Sequence, residues 1–324
     1  MRRLLTAHFP AAPPGLRELL EPRLDGVRVC FDPTSQNDDV EILITGRPTE
    51  AQLRASSRLN TLLIPFAGLP RPTLELLASF PDLRVHNLHH NAAPTAELAM
   101  ALLLAAAKDV VPLDRRLRTG DWRPRYEGNA GLLLEGKRGL VLGYGAIGRR
   151  VARSCVAFGM DVIAVNREGR SESPPECTLV AARELDSLWP SSSFVVVCLP
   201  LTPNTEGLLG AAPIDALPDD AVIVNIGRGP IIDERALFEA LRDGRLGAAG
   251  LDVWYRYPET EEARVGTLPS AFPFHELDNV VLSPHRGGHT EAMERLRAEH
   301  LAESLNAAAR GEPMPWPVNV ARGY

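Results

Sequence analysis

The chain has 324 residues, 45% of them hydrophobic, with 35 basic against 41 acidic side chains and a formal charge of −6. That length supports two domains with a core each, and mild acidity without a block of like charge argues against a nucleic-acid or membrane-surface patch. Cys30, Cys155, Cys177 and Cys198 show no CxxC spacing, the opening residues have no signal-peptide core, and no apolar run reaches spanning length; a cytoplasmic protein with buried packing thiols and no membrane anchor is expected.

Short β-rich runs at 26–31, 40–45, 59–64 and 83–88 alternate with helical stretches and predict a parallel sheet covered by helices. Residues 94–107, rich in Ala and Leu, predict one helix that is apolar on nearly all faces and therefore buried. The polar stretch from Asp114 to Gly136 reads as a linker or protruding arm. From Arg138 the alternation restarts, with strands near 138–142, 161–165, 194–199, 221–226, 247–251 and 279–282, and predicts a second, larger α/β unit. Residues 291–310 predict a helix ending at Gly311, because Pro313, Pro315 and Pro317 forbid its continuation.

Gly143-Tyr-Gly145-Ala146-Ile147-Gly148 follows an apolar strand and opens a helical run, the context in which GxGxxG cradles a pyrophosphate. The next strand, 161–165, ends where a ribose-binding acid is expected, but Asn166 stands there, followed by Arg167, Arg170 and Ser171. A carboxylate would hold the 2′-hydroxyl of NAD, whereas asparagine beside guanidinium groups accommodates a 2′-phosphate, so NADP(H) is favoured over NAD(H). Two polar constellations stand at strand ends. In Asn225-Ile-Gly-Arg228-Gly, flanking glycines expose an arginine suited to a planar carboxylate. In Ser283-Pro-His285-Arg-Gly-Gly288, a proline-fixed turn carries a histidine able to protonate a carbonyl oxygen. The other histidines show no arrangement beyond surface or packing roles, and no metal-ligand spacing is present.

In this order the motifs resemble the D-isomer-specific 2-hydroxyacid dehydrogenase family over nearly the whole chain. The resemblance implies an α/β fold of two doubly wound parallel-sheet domains: a Rossmann cofactor domain, residues 94–290, inserted in a smaller flavodoxin-like substrate domain, residues 1–93 and 291–324, with the active site in the cleft between them. It implies cofactor contacts from Gly143 to Gly148, from Asn166 and Arg167, from Pro200 and Thr205 in the 198–205 loop, from Ile226 and Gly227, from Asp252 near the nicotinamide amide, and from Gly288. Arg228 takes the position of the substrate-binding arginine, His285 that of the acid/base, and Ala67 and Gly68 lie in a loop similar to the one that helps hold the substrate carboxylate. The family's homodimeric pairing through the cofactor domain and its arm is expected as well.

One position departs from the family pattern. Where the resemblance calls for a glutamate beside the histidine, five residues after Asp252, this chain has Tyr257. A His285–Tyr257 pair with a less basic histidine is expected, with Glu259, Glu261 or Glu262 as the competing partners. Trp254 and the 255–274 loop, with Phe66 and Leu69, are expected to shape the substrate's tail and to admit a bulky one. The function implied is NAD(P)-dependent reduction of a 2-keto acid to a D-2-hydroxy acid or the reverse; the alternative is a non-catalytic NAD(P)-sensing module of the same fold.

Overall fold

The computed structural model describes residues 4–34, 38–128, 130–171 and 176–324; Arg2 and Arg3 of the opening charge pair lie outside them. The chain divides into two compact units, Met1–Asn91 with Gly288–Tyr324, and Ala92–Gly287.

In the first unit, β1 (Leu5–His8), β2 (Val27–Cys30), β3 (Ile42–Ile44), β4 (Thr61–Ile64) and β5 (Arg84–Asn87) form a parallel sheet of order β2-β1-β3-β4-β5, the flavodoxin-like winding. Side chains alternate across the strands. Leu63 faces a core built with α1 (Leu16–Leu20) and the C-terminal helix Met293–Arg310, while Leu62 and Ile64 face α2 (Glu50–Arg54) and α3 (Arg71–Leu77). The C-terminal helix stops at Gly311, whose φ of 72° closes it in the left-handed conformation.

The opening residues correct the sequence reading. Leu5–His8 were assigned no strand, yet they run between β2 and β3. Thr, Ala and His give a weak β pattern, but Ala7 is fully enclosed and Thr6 and His8 are buried, so tertiary packing overrides propensity.

In the second unit, β6 (Arg138–Leu142), β7 (Asp161–Asn166), β8 (Thr178–Ala181), β9 (Phe194–Val197), β10 (Val222–Asn225), β11 (Ala248–Leu251) and β12 (Val280–Leu282) are all parallel in the order β12-β11-β10-β9-β6-β7-β8. One face packs on α4 (Ala92–Ala107) and α6 (Ala146–Ala157); α7 (Ala211–Ala216) and α8 (Glu234–Arg242) bury the other. Strands covered on both faces read as continuous apolar runs, as Phe194–Val197 and Val222–Val224 do. The strand order reverses between β6 and β9, the switch point at which such sheets bind ligands.

Two further corrections belong here. β8 was not anticipated, because a half-exposed edge strand lacks that continuous run. The expected arm opens with a regular helix, α5 (Val110–Arg118), before an irregular segment with a short turn at Arg123–Arg125. Of the four unbonded cysteines only Cys155 is fully buried. Among the described residues, no helix is long and apolar enough to cross a membrane, and no three His, Cys, Asp or Glu side chains gather as a metal site.

Candidate active site

Parallel pairing places Val165, Leu142, Val197, Asn225, Leu251 and Leu282 in one row across the second unit's sheet. Because all these strands run the same way, everything just past that row emerges at one edge. Asn166, Gly143 and Cys198 follow the row on one side of the sheet; Arg228, Trp254 and His285 each stand three residues beyond it on the other.

The β6–α6 turn is built for close approach. Gly143 has a φ of 96°, and a side chain there would also meet the Cys198 carbonyl oxygen at 2.9 Å; one on Gly148 would collide with the Gly143 carbonyl. Gly145 caps α6 without a side chain, and a Cβ there would meet nothing within 4 Å among the described residues, which leaves room beside the helix N-terminus that Ala146 and Ile147 begin. Bare N–H groups at the positive end of a helix, reached over a glycine, suit an anionic phosphodiester, and the turn fits a dinucleotide.

At the end of β7 the Asn166 carboxamide braces its own turn. Its Oδ1 accepts the N–H groups of Glu168 at 3.1 Å and Gly169 at 2.7 Å, and its Nδ2 donates to the Arg170 carbonyl at 2.8 Å. The asparagine thus holds exposed Arg167 and Arg170 on a tight turn, with Glu168 paired to Arg170. Thr205 also turns inward. Its hydroxyl donates to the Pro200 carbonyl at 2.6 Å and accepts the Thr202 N–H at 2.8 Å, which fastens the loop carrying Pro200.

The opposite end of the edge carries the charged and titratable groups. Buried Asn225 accepts the Gly227 N–H and donates to the Arg228 carbonyl, both at 3.0 Å, which locks the turn presenting Arg228. The Arg228 side chain reaches solvent, but protein crowds its guanidinium; this desolvation lowers its pKa, while the Tyr257 hydroxyl favours the charged form. Buried Asp252 accepts the Ser283 hydroxyl at 2.5 Å and the N–H groups of Arg286 at 2.7 Å and Gly287 at 2.9 Å. The Trp254 indole N–H donates to the Ser283 carbonyl at 2.8 Å. These bonds hold His285 at a φ of 58°, a left-handed conformation that costs a non-glycine residue about 1–3 kcal/mol.

The Tyr257 hydroxyl and His285 Nδ1 lie 2.9 Å apart, and the Trp254 backbone N–H donates to the same hydroxyl at 3.1 Å. Desolvation raises the phenol's pKa, so it carries no charge at neutral pH. None of the three competing acids reaches the imidazole among the described residues, and Glu261 pairs with Arg264 instead.

Three of the aromatics expected to shape the substrate's tail face elsewhere, while Phe66 is exposed. Trp254 and Phe274 are core residues, and Tyr255 is pinned by its hydroxyl to the Ile232 carbonyl. Trp254 and Phe274 pack under the site, which removes their part of the argument for a bulky substrate. Sequence reasoning also missed the bracing roles of Ser283, Trp254 and Gly287; the Ser-Pro-His run was their one local signal. In the first unit, Ala67 and Gly68 follow β4, where the Asn87 side chain donates to the Ala67 carbonyl at 2.9 Å. Gly288 lies at that unit's chain boundary beside Asn91, 3.2 Å from Cβ to Cβ were it an alanine.

Comparison with known proteins accords with this architecture. The profile of the D-isomer specific 2-hydroxyacid dehydrogenase NAD binding domain matches residues 100–287. The chain is 35% identical over 249 residues to the hydroxypyruvate reductase of Thermotoga maritima, 76% of this chain and 77% of that one. It is 35% identical over 218 residues to the D-3-phosphoglycerate dehydrogenase of Methanocaldococcus jannaschii, 67% of this chain but only 39% of that one's length. A solved D-isomer specific 2-hydroxyacid dehydrogenase from Xanthobacter autotrophicus Py2, in complex with NADPH and MES, aligns at 26% identity with a TM-score of 0.80, over 99% of this chain and 100% of that one. With a dinucleotide turn at the switch point of one parallel sheet and a second, flavodoxin-wound unit beside it in the chain, this protein belongs to the D-isomer specific 2-hydroxyacid dehydrogenase family.

Proposed function

We propose that the protein is an NADP(H)-dependent reductase of 2-keto acids, producing D-2-hydroxy acids. The observation that carries this reading is the assembly of Arg228, Tyr257 and His285 at the same sheet edge as the dinucleotide turn, braced by Asn225 and Asp252. A bound nicotinamide supplies the hydride for the carbonyl carbon.

Arg228 clamps the substrate carboxylate bidentately and draws electron density onto the carbonyl oxygen. His285 delivers the proton that the oxygen needs as its charge develops, and Tyr257 partners the imidazole. Asp252 shapes the turn holding His285, and we retain it near the nicotinamide amide. Gly143, Gly145, Ala146, Ile147 and Gly148 hold the pyrophosphate; Pro200, Thr205, Ile226, Gly227 and Gly288 are retained as cofactor contacts. In the smaller unit, Ala67 and Gly68 are proposed as its substrate contacts.

The preference for NADP(H) is supported by the braced turn with Arg167 and Arg170 and no carboxylate at 166. A homodimer is supported by the arm, where Leu113, Leu117, Trp122, Tyr126 and Leu133 are exposed. Unbonded thiols fit a cytoplasmic location.

Oxidation of NADPH and NADH followed optically against a panel of 2-keto acids tests the activity. Turnover is expected with at least one acid, and Arg228→Ala or His285→Ala lowers kcat/KM by about 10²–10⁴. Tight cofactor binding with no turnover on any member would replace this reading with a sensing module.

A further inference from the structure

We propose that Tyr257 is the proton source of the reduction, acting through an uncharged His285 as a phenol-to-imidazole relay. This rests on the reductase reading and specifies where its proton originates.

The hydrogen-bond count at the phenol carries the argument. Among the described residues its hydroxyl makes two hydrogen bonds, and in one of them it accepts, from the Trp254 N–H at 3.1 Å. Among the described residues the hydroxyl's own hydrogen then has one protein acceptor, His285 Nδ1 at 2.9 Å. An imidazole that accepts at Nδ1 is neutral and carries its proton on Nε2. A glutamate at 257 would have imposed the reverse, drawing a proton onto Nδ1 and favouring the imidazolium.

The charged surroundings agree. The groups acting on the phenol are Arg228 and Asp252. Asp252 spends its oxygens on Ser283, Arg286 and Gly287 and makes no hydrogen bond to the ring. Arg228 is cationic and stabilises a phenolate at 257, which the Trp254 N–H also solvates. A site that prepares for the charged phenol suits proton flow from one ring through the other.

As hydride reaches the carbonyl carbon, the C=O π pair moves onto oxygen. The Nε2–H bond breaks and that proton forms the new O–H bond; the phenolic O–H bond breaks and its proton bonds Nδ1. The ring ends neutral as the other tautomer, and Tyr257 ends as a phenolate against Arg228. An aliphatic alkoxide is a stronger base than a phenolate, so the transfer runs downhill. Tyr257 is 47% exposed and takes its proton back from water.

Two measurements test the relay. In the pH profile of kcat for keto-acid reduction at saturating NADPH, the wild type keeps its rate through the imidazole range and falls only as the phenol ionises. Tyr257→Phe falls where the imidazole loses its proton and is about 10²-fold slower on the alkaline side. Tyr257→Glu moves the imidazole's limb to higher pH. A Tyr257→Phe profile superimposable on the wild type overturns the relay. Independently of turnover, ¹⁵N NMR of imidazole-labelled protein, with His285 assigned from His285→Gln, is expected to show a neutral ring protonated on Nε2 that loses this preference in Tyr257→Phe. An imidazolium or an Nδ1–H ring at neutral pH overturns the relay even in an active reductase. The expected tautomer in a protein that turns over no keto acid supports the pair and sinks the substrate assignment instead.

Discussion

His90 is buried in the first unit, and burial together with Arg297, His300 and His89 pushes its pKa down from 6.5 to about 4. Such a histidine stays neutral in the folded chain, whereas the unfolded chain takes up a proton below about 6.5. Stability is therefore lost as pH falls from about 6.5 to about 4. Thermal unfolding of His90→Phe, measured across that window, is expected to show a flatter dependence than the wild type; equal slopes would assign the acid sensitivity elsewhere. Arg167 and Arg170 act at the same scale on the cofactor. One or two charge-assisted bonds to a 2′-phosphate correspond to about 10–100-fold in affinity. Replacing both arginines by alanine is expected to raise the KM for NADPH by about that factor while leaving NADH nearly unchanged, and parallel changes in both would remove the phosphate assignment.

Elements place these groups. Strand ends β10, β11 and β12 stand side by side, and the turns after β10 and β12 are held by buried polar side chains: Asn225 on its own turn, Asp252 on its neighbour's. Asp252 therefore joins two elements, and its loss strands three donors at once. Asp252→Ala is expected to lower the unfolding free energy by about 1–3 kcal/mol, since the Gly287 N–H is orphaned where it is buried, whereas the Ser283 hydroxyl and the Arg286 N–H are only part-buried. It is also expected to release His285 from its left-handed backbone, so kcat falls together with stability. Denaturant unfolding alongside kinetics separates the two, and a fully active but destabilised variant would show that the turn needs no such brace. The dinucleotide turn was legible from sequence because most of its constraint is local: Gly143 takes a φ of 96° and a side chain on Gly148 would collide with the Gly143 carbonyl, although Gly143 also faces the distant Cys198 carbonyl. The β1 strand was not legible. Four residues of weak β character become a strand only because neighbours on both sides pair with them.

For the whole molecule, the stretch from Val110 to Leu133 leaves Val110, Leu113, Leu117, Trp122, Tyr126 and Leu133 exposed, while Leu132 packs against the core of its own unit. Trp122 is 61% and Tyr126 78% exposed, and side chains of that size are seldom left in water without a partner surface. Sedimentation equilibrium is expected to return a dimer for the wild type and a monomer for a Trp122→Asp, Tyr126→Asp variant; a monomeric wild type would discard the pairing.

Periodicity and turn chemistry by themselves determined the two α/β units, the dinucleotide turn, the end of the last helix at Gly311 and the candidacy of Arg228 and His285. Each is written in residues adjacent along the chain, through burial alternation, backbone sterics or lost N–H donors. Only the tertiary structure decided that Trp254 packs inward instead of lining a pocket, that Asp252 braces residues more than thirty positions away, and that the Tyr257 hydroxyl meets both the Trp254 N–H and His285 Nδ1. A sequence pattern records how much a side chain wishes to be buried or to bond. It does not record with whom, because hydrogen bonding and packing are satisfied by whichever partner the fold brings within reach.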